Sequence, residues 1–372
     1  MTKKVFVGLS GGVDSAVSAM LLKRQGFDVV GVFIKIWQPE FLECTWSADR
    51  MDAMRAAVAL GIPFREIDLS LDYKKEVVEE MVSGYARGVT PNPDVLCNRH
   101  IKFGSFLKFA ESEGADFVAT GHYARIGESK RQKAPDLSAR SAPTNRSPLR
   151  TKGKSFELLR GRDTNKDQSY FLYTLGQSDL ARTLFPVGGL RKSEVRELAL
   201  RARLPVAKKP DSQGLCFVGD VSMKEFLSRF MKLKKGAVLD MKGAVIGTHD
   251  GAQLYTVGQR HGFQITGAPS QNGFYVTGSN VKENTISVSE NFRDAAKKCA
   301  TLNSIHWIGA EPAFPLEAEV QTRYREVPIK SSISKSGGAI TVSFQEPHIV
   351  SPGQSLVVYQ GEKCLGGGVI TG

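Results

Sequence analysis

The 372-residue chain has no apolar run near the roughly 20 residues that a membrane-spanning helix needs. Its start, MTKKVFVGLS, enters a strand directly and has no signal-peptide apolar core, so a cytoplasmic protein without membrane attachment is expected. Five cysteines, Cys44, Cys97, Cys216, Cys299 and Cys364, are odd in number, widely spaced and without a CxxC pair. That spacing indicates neither a zinc knuckle nor a secreted disulfide framework, and leaves reactive thiols as the alternative to small buried hydrophobes.

Negative charge is in short supply: 50 Lys and Arg face 38 Asp and Glu, for a net +12. The excess is concentrated. Residues 129–154, SKRQKAPDLSARSAPTNRSPLRTKGK, hold eight basic residues and one acidic, and have few large apolar side chains. A segment of that composition cannot offset its ordering entropy by burial, so it reads as a flexible basic insertion, either an electrostatic arm for RNA phosphates or a solvated loop. The length fits two or three domains of about 100 to 200 residues, and a hydrophobic content of 41% suffices for ordinary cores.

What is present begins with Ser10-Gly11-Gly12-Val13-Asp14-Ser15, between an apolar strand over Val5 to Leu9 and an apolar-periodic helix ending near Gly26. Glycines let the backbone approach an anion, and the opening N–H groups of a helix point at it with the positive end of the dipole. No Gly-Lys-Ser/Thr closes a longer glycine spacing here, so this is not the Walker loop. The string resembles instead the pyrophosphate loop of ATP pyrophosphatases, which split ATP between its first and second phosphates and adenylate a carbonyl oxygen. Within that resemblance Asp14 helps to hold magnesium on the pyrophosphate.

Strands and helices alternate through the first half. Val29 to Ile34 suits a buried parallel strand, Ser47 starts a helix carrying Met51, Met54 and Val58 that Gly61 stops, Phe64 to Leu69 and Phe117 to Thr120 read as strands, and Tyr73 to Tyr85 as a helix. Repeated βα units predict an α/β fold with a doubly wound parallel sheet, whose ligand lies at the carboxyl ends of strands. SGGVDS, Ile34 and Thr120-Gly121-His122 all fall there. After about residue 236, short alternating segments are punctuated by Gly247 to Gly251, Val281 to Asn284 and Ser336-Gly337-Gly338, which predicts small β barrels. The expected division is a nucleotide-binding catalytic domain over 1–217, a central β-rich domain over 218–277 and a C-terminal β barrel over 278–372.

Two cysteines stand in polar, restricted segments. Cys97 ends Thr90-Pro91-Asn92-Pro93-Asp94-Val95-Leu96-Cys97, a proline-stiffened loop ahead of a helix beginning near Ile101, with Arg99, His100 and Lys102 close by. Cys216 lies in Asp211-Ser212-Gln213-Gly214-Leu215-Cys216-Phe217, after Lys208 and Lys209. Cations of this kind lower a thiol pKa and expose a nucleophilic thiolate. Asp94 is a candidate acid or base, or an ordinary turn aspartate.

The strings GLSGGVDS, TPNPDVLCN, ATGHYAR, NKDQSYFL, DSQGLCF and TVGQRHG together resemble the tRNA-specific 2-thiouridylases, over nearly the whole chain outside 129–154. The resemblance implies ATP contacts from Gly8, Leu9, Ser10, Gly11, Gly12, Val13, Asp14, Ser15, Ile34 and Gly121, with Ile34 in place of a more usual methionine. It implies that Asn92, Pro93 and Asp94 meet the target base, and that His122, Lys166, Asp167, Gln168, Arg323, Tyr324 and Gln354 touch tRNA. It further implies adenylation of uracil O2 at the wobble position of lysine, glutamate and glutamine tRNAs. Cys216 then carries persulfide sulfur from a sulfur-carrier protein or cysteine desulfurase, and Cys97 either frees hydrosulfide or closes a disulfide with Cys216. ATP and magnesium are the expected small molecules, with no tightly bound cofactor. Three alternatives remain open: an amide or NAD synthetase, which needs no cysteine pair; an iron–sulfur thiolase with Cys44 as a third ligand; and a noncatalytic RNA-binding protein that senses ATP.

Overall fold

The computed structural model describes residues 2–41, 46–130, 154–211, 221–266 and 273–371. The catalytic half contains β1 (Lys4–Gly8), α1 (Val13–Arg24), β2 (Asp28–Lys35), α2 (Trp46–Leu60), β3 (Phe64–Asp68), β4 (Phe117–Ala119), the hairpin β5 (Ala124–Lys130) and β6 (Lys154–Arg160), and β7 (Thr183–Leu184). Strands β3-β2-β1-β4-β7 form one parallel sheet in that order. Side chains alternate across it with the period of two that a strand imposes. Val5, Val7 and Val29 pack with Ala19, Ala53 and Ala57 of α1 and α2, while Phe6, Val30 and Val32 join Val77, Met81, Ile101 and Phe106 on the opposite face. Helices cover both faces, as the doubly wound expectation requires.

Chain order turns back between β1 and β4, so the loops after those two strands flank the crevice where open α/β sheets take ligands. Both early helices stop as the sequence indicates, with Gly26 at φ +85° and Gly61 at φ +57°. One helix start differs. The segment expected to become helical near Ile101 is helical from Pro93: Asn92 is the N-cap, its side chain accepting from the Val95 amide at 3.3 Å, and Pro93 takes the first turn, where its missing N–H costs nothing. The helix continues as a wide π turn over Cys97–Ser105 and then Phe106–Ser112, so Cys97 is a helical residue.

Beyond the helix Met223–Ser228 the middle unit is a five-stranded sheet of β8 (Gly236–Leu239), β9 (Val245–His249), β10 (Phe263–Ile265), β11 (Tyr275–Asn280) and β12 (Thr285–Ser289), ordered β10-β9-β8-β12-β11. Gly247 lies inside β9 rather than in a turn: the Gln264 carbonyl lies where its Cβ would project, so the glycine serves close strand approach. The division expected between 277 and 278 falls inside β11, which pairs with β12 and so carries the middle sheet to Ser289.

The last six strands are β13 (Ala296–Trp307), β14 (Leu316–Gln321), β15 (Ile329–Ser336), β16 (Ala339–Ile349), β17 (Ser355–Gln360) and β18 (Lys363–Ile370). Their order β13-β16-β15-β14-β17-β18 closes through β13–β18 into a barrel. The hairpin of the catalytic half joins it, because β6 pairs with β18 through Leu159–Lys363 and Leu158–Cys364. Strands β5 and β6 therefore flank the basic insertion, paired from Ala124–Arg160 to Lys130–Lys154; residues 131–153 lie outside the described residues. Leu158, Tyr170, Val357, Tyr359 and Cys364 share one core across this junction. Burial pushes the Cys364 thiol up to about 12, whereas Cys299, expected as a small buried hydrophobe, is exposed on β13.

Leu158 has no exposed surface. Leu158→Ala should lower the unfolding free energy by about 2–5 kcal/mol, read as a fall in the urea midpoint at constant slope. An unchanged midpoint would show that the junction contributes nothing to cohesion.

Candidate active site at the carboxyl edge of the parallel sheet

Gly11 takes φ +74°, and a Cβ there would collide with the Asp49 carbonyl. Gly12 is the N-cap of α1 and makes no side-chain hydrogen bond, so it leaves the opening amides of the helix uncapped for an anion. Ser15 Oγ accepts from the Ser10 amide at 3.2 Å and donates to the Gly12 carbonyl at 3.1 Å, fixing the loop. Gly121 presses on it from the loop after β4, since its Cβ would lie 2.8 Å from the Asp14 carbonyl carbon and the Ser15 nitrogen. A Gly8 Cβ would lie 3.7 Å from Ile34 Cδ1 and 3.9 Å from the Ala119 carbonyl. The structure thus brings together Gly8, Ile34, Gly121 and the whole SGGVDS loop. The side chains of Leu9 and Val13 are buried, so these two residues present backbone only.

Asp14 belongs to a charge network that the sequence did not reveal. Lys192 Nζ lies 2.7 and 2.8 Å from its two oxygens, and Tyr123 donates a hydrogen bond of 2.8 Å. The same ammonium reaches Asp211 at 2.8 Å, and Asp211 also pairs with Lys166 at 2.6 Å and Arg196 at 2.7 Å. Burial alone would raise the Asp211 carboxyl, but hydrogen bonds from Lys166 and Lys192 outweigh it and hold it well below the usual carboxylate range. Lys192 thus neutralises Asp14 and competes with a magnesium ion for its oxygens, and no cluster of three metal-ligating side chains occurs among the described residues.

Lys209, expected near Cys216 as an activating cation, is bound to Asp49 and Asp52 at 2.7 Å each. Cys216 itself lies outside the described residues, as does Cys44. Near Cys97 the three expected cations separate. Arg99 is exposed, His100 faces Glu76 at 3.5 Å, and Lys102 reaches His122 Nε2 at 3.4 Å. Asp94 is accessible but hemmed in by protein. Partial removal from water raises its carboxyl above the ordinary value, with the Lys102 charge opposing. A carboxyl raised in this way takes up a proton more readily than a free aspartate does.

The Cys97 turn is held by all three units. Thr90 N donates to the Pro352 carbonyl at 3.0 Å, Thr90 Oγ1 lies 2.7 Å from Thr256 Oγ1, and Gln354 Nε2 donates to the Thr90 carbonyl at 2.6 Å. Gln354, expected against tRNA, is thus engaged with the protein. His122 is equally occupied: it is 8% exposed, its Nδ1 lies 2.7 Å from Thr120 Oγ1, and burial, aided by the Lys102 charge, keeps its pKa well below the usual histidine value. Lys166, Asp167 and Gln168 turn inward too. Asp167 accepts from the Gly161 amide at 2.8 Å, Ser169 Oγ at 3.0 Å and Arg160 at 3.2 Å, and Gln168 Oε1 accepts from the Tyr123 amide at 3.0 Å. Arg323 donates to the Val257 carbonyl at 3.0 Å, while Tyr324 lies against Phe171 with centroids 4.6 Å apart and under the Arg325 guanidinium at 5.1 Å.

A doubly wound sheet with SGGVDS at its switch point, followed by two β units, defines a PP-loop α/β protein with a β-barrel tail. Sequence comparison agrees and narrows the class. Residues 3–220 match the family described as tRNA methyl transferase HUP domain, 224–290 the tRNA methyl transferase PRC-barrel domain, and 297–370 the aminomethyltransferase beta-barrel domain. The tRNA-specific 2-thiouridylase MnmA of Enterococcus faecalis is 41% identical over 99% of this chain and 95% of its own length. Those of Listeria monocytogenes and Haemophilus ducreyi are 40% and 43% identical, again over 99% of this chain and over 94% and 92% of theirs. The chain belongs to the tRNA-specific 2-thiouridylase family.

The charge network makes a pH-dependent contribution. Asp211 has a folded pKa below its unfolded one, so its stabilisation is complete above about pH 4 and is lost as pH falls towards the lowered native value. Asp211→Asn should therefore destabilise the protein at pH 7, with the gap to the parent narrowing at pH 3; urea titrations at both values check this, and a gap that widens on acidification would refute it. Gly121→Ala should weaken ATP binding at least about tenfold, since a Cβ at 2.8 Å from the loop backbone must displace it. Calorimetric titration with ATP measures that loss, and parental affinity would contradict the assignment.

Proposed function

We propose that this protein performs the ATP-dependent 2-thiolation of the wobble uridine of tRNA. The observation that carries the reading is one line of contacts: the helix bearing Cys97 reaches through Lys102 to His122, and the adjoining Gly121 packs on the SGGVDS loop. A thiol and an anion loop linked in this way are what sulfur substitution at an activated carbonyl needs.

Uracil C2 is a poor electrophile because its oxygen leaves badly. In the proposed reaction O2 attacks the α-phosphorus of ATP as pyrophosphate departs into the loop, and Asp94 takes the N3 proton. Magnesium arrives with ATP as part of the substrate, displacing Lys192 from Asp14. A persulfide on Cys216 then adds to C2, and AMP leaves with the C2–O2 electron pair. Attack of the Cys97 thiolate on Cys216 Sγ releases the sulfur to C2 with its bonding pair, leaves a Cys97–Cys216 disulfide, and returns a proton from Asp94 to N3. In the alternative order, Cys97 first frees hydrosulfide from the persulfide and hydrosulfide attacks C2; either order ends in the same disulfide, which a thiol reductant reopens. Asn92 and Pro93 flank the base, and the two β units, with Arg323 and Tyr324, grip the tRNA, whose unstacked wobble base stacks and is read at its edges. Lysine, glutamate and glutamine tRNAs are the expected substrates, and a sulfur carrier or cysteine desulfurase in the cytoplasm the donor. No helix among the described residues is long and apolar enough to cross a membrane. Methyl transfer, which the descriptions of two matching families name, gives the SGGVDS loop and the thiol no task.

Unmodified lysine tRNA incubated with the protein, ATP, magnesium and a persulfide donor should yield 2-thiouridine by mass analysis of nucleosides. Cys97→Ser and Cys216→Ser should each reduce the yield below about one per cent while ATP affinity stays within about twofold. Full product from either variant would remove that thiol from the mechanism, and no product from the parent, with tRNA and ATP both bound, would leave a noncatalytic RNA binder or a different adenylating enzyme.

A further inference from the structure

The cations at this edge of the sheet are nearly all neutralised. Lys192 is shared between Asp14 and Asp211, Lys166 and Arg196 hold Asp211, and Lys209 lies between Asp49 and Asp52. Lys102 differs: among the described residues no carboxylate lies within ion-pair distance of its ammonium, and its partner is the ring of His122 at 3.4 Å. That ring is buried, and its other nitrogen lies 2.7 Å from Thr120 Oγ1. A neutral imidazole accepts one N–H from Lys102 and so aims the ammonium without cancelling its charge, which a carboxylate in the same place would do. The rings of Phe103 and Phe185, with centroids 6.0 Å from that of His122, hold the imidazole in place.

Placement is equally specific. Lys102 follows Cys97 by five positions within the π-helical stretch Cys97–Ser105, where the i to i+5 winding swings residue i+5 back towards the face of residue i; an α-helix would turn it away. On its other side His122 adjoins Gly121, which packs against the start of α1. A positive charge with no ion-pair partner among the described residues, and only the more distant Asp94 carboxyl opposing it, therefore lies between the Cys97 helix and the pyrophosphate loop.

We propose that Lys102 is a catalytic residue that binds the α-phosphate: of ATP as uracil O2 attacks, of the uridine adenylate, and of the departing AMP. The assignment rests on the adenylation reading above and names the group that meets the charge left when pyrophosphate has gone. Lys102 stays protonated throughout. It donates hydrogen bonds to non-bridging oxygens as the O2–Pα bond forms and the bond from Pα to the pyrophosphate oxygen breaks, and again as C2–O2 breaks with its electron pair on AMP. Such preorganised charge in a site shielded from water acts on the transition state more than on bound substrate.

Lys102→Met, Lys102→Arg and Lys102→Ala separate this role from a structural one. Calorimetric titration with AMP should show Lys102→Met binding about 10- to 100-fold more weakly than the parent. With tRNA, ATP and the persulfide donor, AMP release should fall about 100- to 1,000-fold in kcat while KM for ATP stays within about threefold. Lys102→Arg should recover most of the rate, and added ethylammonium should restore part of it to Lys102→Ala, an effect no packing role produces. Parental AMP affinity with parental kcat in Lys102→Met overturns the proposal. So does a lowered Tm whose accompanying rate loss neither arginine nor ethylammonium repairs. If the parent makes no 2-thiouridine yet the AMP affinities differ as stated, the phosphate assignment holds and the thiolation reading falls; if parent and Lys102→Met thiolate equally, the reverse is true.

Discussion

The arrangement of the site depends on a short stretch of strand pairing, Leu159 with Lys363 and Leu158 with Cys364, where the hairpin of the catalytic half joins the closed barrel. Around it the two units share one buried core. Ser169 Oγ lies 3.1 Å from Tyr359 Oη, Tyr170 donates to the Ser355 carbonyl at 2.9 Å, and the Arg160 guanidinium lies 3.5 Å over the Tyr359 ring while bonding Gln321 at 3.0 Å. Buried polar groups paired across a junction fix its geometry, because sliding it would leave several more of them unsatisfied at once, beside the Arg160 Nη2 that already has no partner among the described residues. The barrel is thereby held where Pro352 and Gln354 meet the Thr90 turn.

Local signals in the sequence were legible to within a residue or two. The apolar runs of β1 and β2, the stops at Gly26 and Gly61, and the glycine-rich junction at the carboxyl edge all follow from periodicity and backbone freedom, which act over a few residues. Asn92-Pro93 also carried a local signal, an N-cap followed by proline, but two prolines in five residues suggested a loop, and the helix start was placed too late. Gly247 misled for the same reason: glycine marks a turn and a close strand crossing alike, and only the position of Gln264 decides between them.

Long-range electrostatics could not be read in that way. Lys192 and Asp14 are 178 positions apart and Lys166 and Asp211 45, and nothing in either neighbourhood specifies its partner. The NKDQSYFL segment shows the limit most clearly. Its polar residues suggested a surface for RNA or a solvated turn, whereas Asp167 and Gln168 spend their hydrogen bonds on Gly161, Ser169 and Tyr123. Polarity in a sequence reports that a side chain needs partners and is silent on whether they are solvent, nucleic acid or its own backbone.

The contact between Thr90 and Gln354 spans 264 positions, and Gly353, with φ +88°, leaves no space for a Cβ beside the Thr90 backbone, 2.8 Å away. During synthesis the sheet and its glycine loop are complete long before that glycine emerges from the ribosome. The turn ahead of Cys97 therefore acquires its final shape only when the last strands close the barrel. A nascent chain that already holds the glycine loop lacks the partner that shapes the turn ahead of Cys97 until the strands around Gly353 and Gln354 have been made.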